Sequence, residues 1–538
     1  MNKAQRLAIF FTLCCACADS PDDLSLDSTT DGVEADFADT STVIPSDLDV
    51  FENQSPDLAA SDVLDIEWVD LLTPQDARST ADMSPDIQDS DLAGDGADPD
   101  EMDWGPPTDT VELADTTPDT QTADMGIGDT TPDIESSPTL LGKPFLLGLS
   151  ANNGAAEQGA LLGLHAVRPT FSWRTVEPTA SVDGVTMADV VSETAIVNYI
   201  TGRDWSSFDT LAKTIADAGM EVTPIVGHGF ASTLPLVNGI PGSPDVLGKT
   251  EYLARQYLVT RATVERFDGD GVHDSPTGVK ISLWQIENEL NQAMLTAVLG
   301  WRTPEYIDGI SSAWADWFFL TELLSTLRQA VLDADPHAQV TTNFHTDIHA
   351  EINYFFDLPS WTEAVTQWAP LLDYVSIDAY PNYYQAAPPK GEVVGERVAS
   401  TLAAGQGKPV FIMETGYPTG PAELGYDEEN QAAFMVTALE SAKAAGAVGF
   451  YWFGTQTLDS HSAVITETDL QNMKLLAGAF DSGDAASLLS FALNNADYVQ
   501  GQLKDVGLAV EAYWGIVRPD GSKKPAWYVL AGFAAANP

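Results

Sequence analysis

The chain has 538 residues and a formal net charge of -56, an acidity that disfavours nucleic acid and anionic membrane surfaces as partners. Its 44% apolar content suits a globular protein, but the acid is unevenly spread, which separates a tail from a body. The three cysteines, Cys14, Cys15 and Cys17, all lie at the N-terminus, so the body is expected to fold without disulfides.

In chain order, Met1-Asn2-Lys3-Ala4-Gln5-Arg6 is a basic opening, and Leu7 to Leu13 is an apolar run too short to span a bilayer. Cys14-Cys15-Ala16-Cys17 follows, and together the three parts resemble a bacterial lipoprotein signal over residues 1–17. The resemblance implies lipid on Cys17, since Ala16 is the small residue expected before the cut. Cys15 is the second choice, and a plain secretory signal is the alternative. Either way the protein is expected outside the cytoplasm, as a cell-envelope lipoprotein or secreted. Residues 18–140 hold about 34 Asp and Glu against one base, Arg78, with much Thr, Ser and Pro. Such a stretch buries too little apolar surface to offset the entropy of ordering and is read as an extended, disordered linker.

Residues 141–538 alternate short β-rich runs with helical stretches, which predicts an α/β fold with a parallel sheet. Eight strands are expected at 145–149, 164–168, 221–226, 280–286, 339–344, 374–379, 410–413 and 449–453. Amphipathic helices are expected at 208–218, 317–333 and 430–445, two of them stopping at Gly219 and Gly446. Eight such units point to a (β/α)8 TIM barrel. The long link between strands three and four, and the tail after strand eight, are read as walls of a cleft. Near the end, Asp520-Gly521 predicts a turn and Pro525 the start of a last helix.

Two segments carry the chemistry. Trp284-Gln285-Ile286-Glu287-Asn288-Glu289-Leu290-Asn291 ends strand four, and Phe411-Ile412-Met413-Glu414-Thr415-Gly416-Tyr417-Pro418 ends strand seven. Barrel enzymes work at the C-terminal mouth of their strands. Cleaving a glycosidic bond takes two carboxyl groups facing one sugar carbon, about 5 Å apart when configuration is retained. Glu289 and Glu414 are the candidate pair. Glu287, two positions before Glu289 on the same strand face, is the rival, expected to be a buried partner behind the site.

Asn288-Glu289 and Glu414 in these positions resemble clan A of the glycoside hydrolases, which are retaining barrel enzymes. The resemblance implies Glu289 as acid/base and Glu414 as nucleophile, with Asn288 binding a sugar hydroxyl. It implies that Arg168, in Val167-Arg168-Pro169, and Tyr380, in Asp378-Ala379-Tyr380-Pro381, hydrogen-bond the nucleophile. Trp452, in Tyr451-Trp452-Phe453, is placed as a sugar platform. Local similarity runs to the family 53 endo-β-1,4-galactanases, where glycine usually stands at the position of Glu287, and to the family 17 endo-β-1,3-glucanases.

His228, after strand three, is a candidate sugar contact, and Trp301, Trp361, Tyr383 and Tyr384 are loop aromatics that could stack on sugar rings. His345 and His349 have helical metal-ligand spacing but no third ligand in sequence, so no metal is expected, and no phosphate loop supports a cofactor. The expected function is a retaining glycoside hydrolase acting on a β-linked polysaccharide, endo-acting by preference. The alternatives are a transglycosylase using the same pair and a glycan-binding surface lipoprotein without catalysis.

Overall fold

The computed structural model describes residues 139–151, 154–230, 232–292, 313–346, 359–381, 390–455, 464–482, scattered positions between 487 and 498, and 502–538. The expected signal with Cys17, the linker through residue 138, and Trp301, His349, Tyr383 and Tyr384 lie outside the described residues.

Eight parallel strands form a closed ring. They are β1 (Leu146–Ser150), β2 (Ala166–Arg168), β3 (Glu221–Val222 and Ile225–Val226), β4 (Leu283–Ile286), β5 (Gln339–Thr341 and Asn343–His345), β6 (Val375–Asp378), β7 (Val410–Glu414) and β8 (Gly449–Phe453). Each pairs with the next, and β8 pairs back onto β1, Leu146 opposite Gly449 through Ser150 opposite Phe453. A closed ring leaves no unpaired sheet edge. β3 is interrupted before Pro224, which has no N–H for the ladder. Its first piece pairs with β2 and its second with β4.

A helix follows each strand: α1 (Ala155–Leu162), α2 (Ser206–Asp217), α3 (Lys249–Glu265), α4 (Trp317–Ala334), α5 (Trp361–Trp368), α6 (Glu392–Ala404), α7 (Glu428–Ala444) and α8 (Pro525–Ala536). The fold is therefore the (β/α)8 barrel that the alternation predicts. Local chemistry sets the helix starts. Asp316 caps α4 by accepting from the N–H groups of Phe318 and Phe319 at 3.1 and 3.3 Å, Ser360 and Glu363 form a reciprocal capping box on α5, and Pro525 opens α8.

Strand alternation sorts side chains into two cores. Outward residues such as Val167, Ile286, Val340, Ile377, Ile412 and Phe450 join the helices in the larger one. Inward residues fill the barrel: Leu146, Ala166, Leu283, Phe411, Met413 and Tyr451 make an apolar cluster in its lower part. Gly148 is inward too, and a Cβ there would sit 2.4 Å from the Tyr451 ring, so its bare backbone is what admits that ring. Leu140 is fully buried in the same cluster, and the Tyr374 hydroxyl donates to the Thr139 carbonyl at 3.0 Å.

The β3-to-β4 link contains an unanticipated feature. Leu236–Val237 and Ile240–Pro241 form a hairpin to which Thr179–Ala180 adds a third strand. Asn238 and Gly239, both at positive φ, make its turn, the Asn-Gly signal for such a hairpin.

Candidate active site

The upper interior of the barrel is polar. Ser150, Arg168, Gln285, Asn343 and Asp378 are the inward residues near the C-terminal ends of β1, β2, β4, β5 and β6, and all are buried. A β-bulge at Ile377/Asp378 shifts the β6–β7 register so that Glu414 stands opposite Asp378. On the other side of Asp378, His345 is its partner in register.

β4 ends at Ile286, and the chain then turns twice through the left-handed region. Glu287 has φ 58° and Glu289 φ 50°, conformations that cost a non-glycine residue on the order of 1 kcal/mol each and are held by their surroundings. This overturns the expectation that the two share one strand face, because strand alternation has stopped before either is reached. Glu287 goes behind the site. It has no exposure and accepts from the N–H of Gly229 at 3.1 Å and of Asn288 at 3.2 Å. Burial pushes its carboxyl up to about 8, so it is neutral at pH 7. Glu289 turns the other way, its Oε1 lying 2.5 Å from His345 Nδ1.

Arg168 ties the layer together. Its Nε donates to Gln285 Oε1 at 2.5 Å, one terminal nitrogen to Ser150 Oγ at 2.5 Å and to Glu414 Oε1, and the other to Asn288 Oδ1 at 2.7 Å. The Tyr380 hydroxyl donates to the second oxygen of Glu414 at 2.8 Å. Burial, then the Glu414 carboxylate, hold that phenol well above its ordinary range, so it remains a donor at any physiological pH. Asn343 donates to Asn288 Oδ1 at 2.8 Å and to Asp378 Oδ2, while its own Oδ1 accepts from Gln285 at 2.7 Å and from the Glu289 N–H at 3.1 Å.

The result is a trio. One carboxyl oxygen from each of Glu289, Asp378 and Glu414 lies within 4.8 Å of the others, and all three residues are at most 5% exposed. Sequence reading placed Glu289, Glu414, Asn288, Arg168 and Tyr380 here, and the fold brings all five together. It missed Asp378, Asn343, Gln285 and Ser150. Ser150 and Gln285 are polar residues at inward positions of otherwise apolar strands, and that parity was the available signal; Asn343 and Asp378 stand on strands with other polar residues, where parity is less telling.

Trp452 does not join them, a correction to its place as a sugar platform. It is fully buried on the outward face of β8, with its ring 6.3 Å from Phe434 of α7. The inward positions of β8 are Tyr451 and Phe453, and Phe453 packs with Trp514 and Tyr380 at 5.7 and 6.3 Å. Tyr380 also meets Trp514 edge-on at 4.7 Å, so Phe453 and Trp514 pack around the tyrosine that holds Glu414. His228 is buried after β3 with its ring 3.9 Å from Phe230. Trp361 opens α5 instead of standing in a loop.

No family model matches the chain, and no curated protein matches it either. Many of the solved structures similar to it are glycoside hydrolases of clan A families, at low identity. A glucosidase from Croceicoccus marinus is 13% identical, with 73% of this chain and 68% of that one covered and a TM-score of 0.43. An exo-β-1,4-mannosidase from Opitutaceae bacterium strain TAV5 is 14% identical, with 74% and 61% covered and a TM-score of 0.44, so this chain spans less than two thirds of it. A GH53 catalytic domain from Ignisphaera aggregans is 15% identical, with 58% and 85% covered and a TM-score of 0.39. Likenesses this distant carry no weight for chemistry, and the fold rests on the closed strand register.

Two acidic groups among the described residues are compact enough to invite a cation. Asp268, Asp270 and Asp274 turn their oxygens onto backbone N–H groups of their own loop. The trio fits a cation poorly, because the Arg168 guanidinium already sits against Glu414 and would repel one.

Proposed function

We propose that this protein is a retaining glycoside hydrolase that cleaves a β-linked polysaccharide through a covalent glycosyl-enzyme. One observation carries the proposal: carboxyl oxygens of Glu289 and Glu414 within 4.8 Å of each other at the C-terminal mouth of a closed barrel. Retaining enzymes hold their two carboxyls about 5 Å apart, whereas inverting enzymes leave about 6.5–9.5 Å for a water.

The two carboxyls are supported differently, as two roles require. Glu414 receives a donor on each oxygen, Arg168 on one and Tyr380 on the other, which orients it for attack. In the first step a Glu414 oxygen bonds to the anomeric carbon as the glycosidic C–O bond breaks, and Glu289 passes its proton to the departing oxygen. In the second, Glu289 takes a proton from water, whose oxygen bonds to the same carbon as Glu414 leaves. Esterifying Glu414 removes its charge, which lets Glu289 stand as the anion that can take a proton from water. The carbonyl of Asn288 is turned to Arg168 and Asn343, so its amide N–H is the group a neighbouring sugar hydroxyl would meet. Cys17 would anchor the protein to the cell envelope through lipid, with residues 18–140 as tether.

The test is a panel of polysaccharides with a reducing-end readout. Glu414→Ala is expected to abolish turnover, with added azide restoring a product of inverted configuration. Glu289→Ala should slow substrates with poor leaving groups by at least about 100-fold more than activated aryl glycosides. Undiminished hydrolysis by the Glu414 variant would end the assignment.

A further inference from the structure

Asp378 is the member of the trio without a task in that mechanism. It ends β6 pointing inward, fully buried, between His345 on β5 and Glu414 on β7. Its Oδ2 accepts from the Asn343 amide. No donor among the described residues reaches its Oδ1. A buried carboxylate oxygen without a donor is expensive, whereas a proton on that oxygen turns it into a donor in search of an acceptor.

The surroundings name the acceptor. Both oxygens of Glu414 are taken, by Arg168 and by Tyr380. Glu289 is the other carboxyl within 4.8 Å. Two carboxyl groups can bond to each other only through a proton. Arg168 is a single cation beside three acids, and His345 meets Glu289 at 2.5 Å. Burial, followed by the charges of Glu414 and Glu289, pushes the Asp378 carboxyl well above its ordinary range, with Arg168 opposing.

We propose that Asp378 is a positioning residue that stays protonated and donates from Oδ1 to Glu289, fixing that carboxyl and stabilising it each time it loses its own proton. This rests on Glu289 being the acid/base. The Asp378 proton does not leave: the proton given to the departing oxygen comes from Glu289, and the one regained comes from water. What changes is the Asp378–Glu289 hydrogen bond, which strengthens when its acceptor becomes an anion. A carboxylic acid kept neutral by its site so that it can donate is a known catalytic device.

The experiment compares Asp378→Asn, a neutral donor of the same shape, with Asp378→Leu, which cannot donate. The readout is the alkaline limb of kcat/KM, which reports loss of the Glu289 proton. With a neutral donor in both, the wild type and the Asn variant share a limb to within about 0.3 pH unit. The Leu variant moves it upward, because the Glu289 anion loses its support. A limb lowered by about one unit or more in Asp378→Asn means that a negative charge was removed, and it overturns the proposal. Equal rate losses in both variants with no limb movement reduce Asp378 to packing and overturn it as well.

A second measurement needs no activity. A folded-state carboxyl raised above its unfolded value takes up a proton on folding, so wild-type stability falls as pH rises between the two values. Urea midpoints should therefore favour Asp378→Asn increasingly from pH 5 to pH 8. A gap that stays constant over that range shows an ionised Asp378. If the protein cleaves no glycoside at all, the reading of the site fails while this comparison still decides the protonation of Asp378.

Discussion

The lower and upper halves of the barrel interior use the same strands and the same alternation but opposite chemistry. Below, Leu146, Ala166, Leu283, Phe411 and Met413 pack as hydrocarbon. Above, further along β1, β2 and β4, Ser150, Arg168 and Gln285 stand in inward positions, buried and joined by hydrogen bonds, and Asp378 stands inward and buried on β6, bonded to Asn343. Hydrocarbon contacts are non-directional, so the lower layer tolerates rearrangement and contributes stability roughly by area. The upper layer is directional: each donor has an assigned acceptor, and losing one strands another. A network of that kind can hold carboxyl groups less than 5 Å apart against their mutual repulsion, which hydrocarbon cannot.

Three substitutions break or sharpen this contrast. Arg168→Met should have the largest effect, because it removes the donor to Glu414, Asn288, Gln285 and Ser150 at once. Turnover on polysaccharide is expected to fall at least about 100-fold, and stability by about 3–5 kcal/mol, the usual cost of stranding a buried charge. Steady-state kinetics and urea unfolding measure both, and a variant with normal kcat would separate the network from the chemistry. Leu283→Ala, on the same ring one layer down, should cost about 2–5 kcal/mol through the cavity it leaves. Its kcat per folded molecule should stay within about threefold at a temperature well below its melting point, and a loss as large as that of Arg168→Met would erase the distinction between layers.

Glu287→Gln is the subtlest. Burial pushes the Glu287 carboxyl up to about 8 in the fold, against about 4.3 for an unperturbed glutamate. The native state therefore binds more protons between those values, and wild-type stability falls as pH rises through that window. The Gln variant lacks this loss, so it should gain on the wild type steadily from pH 5 to pH 8, by on the order of 1 kcal/mol or more at the upper end. Thermal melts at several pH values measure it, and a constant difference across pH would mean that Glu287 is ionised in the fold.

Much of this was legible beforehand. Alternating β-rich and helical stretches gave the eightfold barrel, and six of its helices reach the next strand through a short link, as at Gly219 and Gly446. Glu289 and Glu414 could be named because each ends a strand-like run, and a strand end in a barrel has only one place to go. Trp452 could not be assigned in the same way. Its neighbours Tyr451 and Phe453 are equally aromatic, and which of the three faces inward depends on the register of β8 against β1, set by pairings far apart in sequence. Asp378 was passed over for a similar reason. Nothing local to Ser376-Ile377-Asp378 announces the bulge that sets it opposite Glu414.

The amino-acid order determined the barrel, the polar and apolar parity of its strands and the two glutamates at its mouth, because hydrophobic period and strand ends are local properties of a chain. Tertiary structure alone decided that Glu287 and Glu289 part company after β4, that Trp452 lies outside and Phe453 inside, and that a third carboxyl meets the pair. Those outcomes depend on backbone turns, register and through-space fields among residues up to 246 positions apart, as Arg168 and Glu414 are, and such separations leave no trace in any single stretch of sequence.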